Sequence, residues 1–133
     1  MATASLLAVS QKRHWSRTRN IALWILQTLA AAAFLMAGGS KLSGAEQMVA
    51  MFDVIGLGQW FRYFTGSVEV AGALLLLIPR TAAIGAAILG VTMVGAIMTH
   101  LLVIGGSPLP AIVLFLMVSS VAWYRRPVGL ARH

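Results

Sequence analysis

Glu69 lies inside an otherwise apolar run that extends from Gly66 to Ile78 and stops at Pro79 and Arg80. An ionised carboxylate in hydrocarbon is expensive unless it is paired, hydrated or protonated. A run that keeps one near its middle has to fold other helices around it. Two states suit Glu69: a protonated carboxyl, or a carboxylate hydrogen-bonded in a small wet cavity. Either makes it a candidate functional residue. The plainer reading is a structural carboxyl that ties helices together.

The rest of the chain supplies those helices. Apolar runs cover residues 21–38, 64–78 with an aromatic lead-in from Trp60, 82–104 and 109–124. A membrane span needs about 17–25 largely apolar residues. The first and third runs meet that directly, the second needs its lead-in, and the fourth is short. Charged residues make up only 10% of the chain, against roughly a quarter in soluble domains. The expectation is an all-α, integral membrane four-helix bundle over residues 21–126. A basic cytoplasmic tail (1–20) precedes it and a cytoplasmic C-terminal tail (127–133) follows.

The net charge of +7 reads as topology. With both termini inside, the inner side holds Lys12, Arg13, Arg17, Arg19, Arg80, Arg125, Arg126 and Arg132, and the outer side only Lys41 and Arg62. That eight-to-two bias follows the positive-inside rule and requires an even number of spans. No segment is long and polar enough to present a basic soluble face, so nucleic acid is not an expected partner. The chain has no Cys, which excludes disulfide exchange, iron–sulfur ligation and thiol chemistry by its own residues.

Helical spacing assigns faces. Gln27, Ala31, Phe34, Gly38 and Lys41 share one face of the first helix. Lys41 either joins that inward stripe or snorkels to the outer surface. Arg62, Thr65, Gly66, Glu69, Gly72, Ala73 and Leu76 share a face of the second helix, so Glu69 points at protein between small residues that permit close packing. Ala82, Ala86 and Gly90 form a small-residue strip on the third helix. In the connecting segment 40–59, Ser43 and Glu46 have capping-box spacing. Met48, Val49, Phe52 and Ile55 then recur at helical spacing, predicting a short amphipathic interfacial helix over residues 43–55. A lid over an outer-facing cavity is its functional alternative. Trp15, Trp24, Trp123 and Tyr124 suit the inner interface.

Heights counted at about 1.5 Å per residue place Glu69 roughly 16 Å above the inner surface, level with Thr92 and just above Gln27 and Thr28. The same count puts His100, Lys41 and Arg62 about 27–31 Å up, in a separate outer layer. His100 is the sole histidine within a span, so a bis-histidine haem site is not expected, nor is any other metal site. A carbonyl-bonded interface histidine is its plain reading.

The segments Ala37 to Leu42, Val68 to Arg80 and Gly95 to His100 resemble, in order and spacing, the DoxX-like family of small bacterial membrane proteins. The resemblance runs over nearly the whole of 21–126. It implies a four-helix inner-membrane bundle, and it carries the pattern's lysine, glutamate and histidine onto Lys41, Glu69 and His100. The wider DoxX group is associated with quinone-linked and other membrane redox functions, which implies a redox-associated subunit with a quinone as possible ligand. In that reading Glu69 accepts protons and His100 or Lys41 meets the ligand's polar head, with Arg62, Gln27 and Thr92 as further binding candidates. Two alternatives from other classes stand beside it: a small-solute or proton permease acting as a homo-oligomer, and a non-catalytic scaffold for a membrane or redox partner protein.

Overall fold

The computed structural model describes residues 2–126, with the side chains of Ala2 and of residues 8–15 left out. The expected tail at 127–133, the Arg132 of the charge count, and the side chains of Lys12, Arg13, His14 and Trp15 lie outside the described residues. The described chain is all-helical. Helix α1 runs Ala2–Ser43, α2 Glu46–Ile55, α3 Gln59–Leu76, α4 Ala82–Thr99 and α5 Leu109–Tyr124. Between α4 and α5 the helix continues as a π-helical turn, His100–Ile104. Residues 2–20, expected as a tail, are the first turns of α1.

Helix α1 packs on α3 and α5, α3 on α4, and α4 on α5, which closes a ring around an apolar core. Phe34, Leu76, Leu89, Val118 and Val121 fill that core. Two helical stretches, Ser16–Ser43 and Ala82–Ile104, are long and apolar enough to cross a membrane. Only 17% of the second one's apolar window is buried in the protein, so its apolar surface points outward. Each ring helix likewise carries large apolar residues on its outer face. Examples are Ile25 and Met36 of α1, Leu74 of α3, Val91 of α4 and Leu116 of α5.

Glycines set two close approaches. A Cβ at Gly38 would lie 2.8 Å from the Gly66 carbonyl oxygen, and one at Gly66 3.0 Å from the Gly38 oxygen. Real Cβ atoms are essentially never so placed against backbone, so this glycine pair is what lets α1 and α3 touch. On the other side of α3, a Cβ at Gly85 would lie 2.8 Å from the Gly72 oxygen, and one at Gly72 2.7 Å from the Leu89 side chain. The expected faces hold: Arg62, Gly66, Glu69, Gly72, Ala73 and Leu76 of α3 are buried, and so are Ala82, Ala86 and Gly90 of α4.

The expected capping box does not form. Ser43 is still inside α1, where its hydroxyl donates to the Ser40 carbonyl at 3.2 Å. Gly44 breaks the helix with φ +75°, and Ala45 becomes the residue before α2, without a side-chain cap. The start of α2 comes two residues later than the serine signature implies, because the left-handed conformation falls to Gly44. The other end of α2 follows the sequence, with Gly56 at φ 82° donating its N–H to the Phe52 carbonyl.

Candidate functional site

Lys41 and Glu69 form a buried ion pair. The Lys41 ammonium is 3.0 Å from Glu69 Oε1 and 3.2 Å from Oε2. The carboxylate side chain is 2% exposed and the ammonium side chain 14%. This overturns the two-layer count that put Lys41 well above Glu69, and it decides against a snorkelling lysine. The physical reason lies in helix direction. Helices α1 and α3 are antiparallel: Gln27 near one end bonds the Leu76 carbonyl, and Arg62 at the other bonds the Lys41 carbonyl. Side chains lean toward the N-terminus of their own helix. Lys41 and Glu69 therefore lean toward each other, and the Gly38–Gly66 contact brings the backbones close enough for them to meet.

The pair borders a cavity of about 410 Å³. Its walls come from α1, α3, α4 and α5, and the amphipathic face of α2 lies across one end through Met48, Met51, Phe52 and Ile55. The amphipathic helix read from sequence is present as α2, and its apolar face borders the cavity. Tethers hold the helix. Gln59 donates to the Val49 carbonyl at 3.1 Å and to Asp53 Oδ1 at 2.9 Å, while its own Oε1 accepts from Arg62 Nε at 2.7 Å. Phe52 packs against Phe61 with the rings tilted at 55° and their centroids 5.9 Å apart.

Of the six residues singled out in the sequence, Lys41, Glu69, Thr92 and His100 line this one cavity. Thr92 does not hydrogen-bond Glu69 as its height suggested; its hydroxyl donates to the Ile88 carbonyl of its own helix. His100 also stays apart from Glu69. Its Nδ1–H donates to the Gly105 carbonyl at 3.1 Å, as the plain reading had it, which leaves Nε2 as the ring's acceptor.

Gln27 and Arg62 are placed elsewhere. Gln27 is fully buried at the opposite end of the ring, donating to the Leu76 carbonyl and accepting from Arg125 Nε, both at 2.8 Å. It joins α1, α3 and α5, and Arg125 extends the tie to Asn20 Oδ1 at 2.7 Å. Thr28, expected just below Glu69, turns back to the Trp24 carbonyl. Arg62 donates to the Lys41 carbonyl in the last turn of α1 and lies over the Tyr63 ring, a favourable place for a cation at a helix C-terminus. The sequence reading missed Phe34 and Met93 as cavity walls. The stripe that carries Phe34 was visible, but a void beside it was not.

Residues 25–123 match the DoxX-like family, and the chain belongs to that family. Neither the curated proteins nor the solved structures returned a match.

Proposed function

We propose that this DoxX-like protein is an integral protein of the bacterial inner membrane. In this reading it has four spans formed by α1, α3, α4 and α5, with both termini in the cytoplasm. It is a redox-associated subunit that binds a quinone or similar amphiphile inside the ring. One observation carries the reading: an apolar cavity of about 410 Å³ with a buried ammonium–carboxylate pair on its wall. The volume falls within the roughly 300–1,000 Å³ of small-molecule sites, which combine apolar walls with a few convergent polar groups. The outward apolar residues on all four ring helices support the spans.

The residues present fit a quinone head. An ammonium has three donors, and its hydrogen bond to Glu69 Oε2 uses one; another is available to a ligand carbonyl oxygen. Glu69 is the group of the pair that would exchange a proton with the ligand's oxygen. His100 offers Nε2 as a hydrogen-bond acceptor in the same cavity. A bound quinone supplies two-electron, two-proton redox chemistry; its electrons come from a partner protein.

The test is extraction of the protein in its own lipids, followed by native mass spectrometry and chromatography of the released small molecules. Copurified quinone, diminished in Lys41→Met and Glu69→Gln, is the expected result. A protein that carries none, and that fails to bind added long-tailed quinone, ends this reading.

A further inference from the structure

Helices α3 and α4 touch closely at one end of the ring, and a cavity lies between them and their neighbours at the other. At the Gly72–Gly85 level an added Cβ would collide with the facing helix at 2.7–2.8 Å. Ten residues further along α4, a Cβ at Gly95 would meet nothing within 4 Å. Gly95 lines the cavity and is also exposed. At 100° per residue it sits on the α3-facing edge of the outward side of α4, between the exposed Val91 and the half-buried Thr99. Across from it, Phe64 of α3 both lines the cavity and is 57% exposed. The same residues thus belong to the inner wall and to the outer apolar surface, which marks an opening.

That opening is apolar. Thr92 and Thr99 on its α4 side spend their hydroxyls on their own helix, donating to the Ile88 and Gly95 carbonyls, and so offer little polarity to a guest. The end beside α2 is covered by that helix, which packs on α3 and on the π-helical turn. We infer that the cavity is loaded sideways from the bilayer, through the gap between α3 and α4, and that Gly95 keeps the gap open. The occupant is a membrane amphiphile whose hydrocarbon chain lies in the gap with its head at the Lys41–Glu69 pair. The inference rests on the proposed membrane-spanning arrangement and narrows the ligand to one that partitions into lipid.

The experiment uses the full chain in nanodiscs containing a phospholipid with a diazirine in its acyl chain. Adducts are mapped by mass spectrometry after illumination. Wild type is expected to carry adducts on interior wall residues, Phe34 and Met93, as well as on the outward Val91 and Met98. In Gly95→Leu the interior adducts are expected to be lost while the outward ones persist. Because a Cβ at this position meets nothing within 4 Å, the variant's thermal midpoint should be no lower than wild type, and that measurement is made alongside. Adducts confined to outward residues in wild type, or interior adducts undiminished in Gly95→Leu, overturn the inference. Excess long-tailed quinone provides a separate arm. If it fails to protect the interior while the Gly95 dependence holds, the quinone reading falls and the sideways route stands.

Discussion

Lys41 Nζ sits between the two carboxylate oxygens of Glu69, 3.0 and 3.2 Å away, although the two residues were counted several helical turns apart in height. Removing one partner of a buried pair leaves an uncompensated charge, typically at a cost of about 3–5 kcal/mol, whereas replacing both with apolar residues is often neutral. Glu69→Leu should therefore lower the unfolding midpoint sharply, and Lys41→Met combined with Glu69→Leu should recover most of the loss. Thermal unfolding in mild detergent measures this; a double variant no better than the single would show that the pair is not what Glu69 contributes.

Glu69→Gln separates chemistry from scaffolding. The amide keeps the shape and one acceptor but has no titratable proton. For a proton-handling site, the variant should fold and still fail in ligand turnover or growth complementation. A folded, fully active Gln variant would leave Glu69 as structural glue.

The α3–α4 contact makes an opposed pair of predictions for two glycines on one helix. Gly85→Ala forces a methyl against the Gly72 carbonyl and the Leu76 nitrogen, both at 2.8 Å, and should destabilise by about 1–3 kcal/mol, the usual range for overpacking. Gly95→Ala meets open space and should stabilise by up to about 1 kcal/mol through helix propensity. Equal effects from the two would contradict the packed surroundings of Gly85 and the open ones of Gly95.

At the other end of the ring, Arg125→Ala leaves the buried Gln27 carbonyl oxygen without its donor. A loss of about 1–3 kcal/mol is expected. A double-mutant cycle with Gln27→Leu should show coupling of roughly 0.5–3 kcal/mol. Additive effects would mean that the two residues stabilise the ring independently.

Topology is tested by reporter fusions after Ile78 and after Gly105, expected on opposite sides of the membrane with the first in the cytoplasm. A C-terminus found outside would sink the four-span reading.

Helix positions and inward faces were legible in the sequence because apolar and small residues recur at helical spacing; the buried face of α3 from Arg62 to Leu76 is an example. The Lys41–Glu69 contact was not, because counting Cα heights ignores the opposite lean of side chains on antiparallel helices. Ser43 misled because its spacing to Glu46 is local, whereas the helix break depends on the left-handed backbone at Gly44. The cavity was hidden for a different reason. It is enclosed by residues of α1 to α5 together, and a one-dimensional pattern records which residues face inward but not how far apart the helices stand.

The π-helical turn bears on how this chain tolerates changes of length. Its hydrogen bond from the Gly105 N–H to the His100 carbonyl, at 3.0 Å, spans one residue more than an α-helical bond. Deleting one residue between Leu101 and Ile104 would return that turn to ordinary helix and leave everything before it in register. The same deletion within α4 would rotate all that follows by about 100°, carrying His100 off the cavity wall. Among relatives of this protein, one-residue insertions and deletions should therefore gather at the end of this helix and be rare along its length.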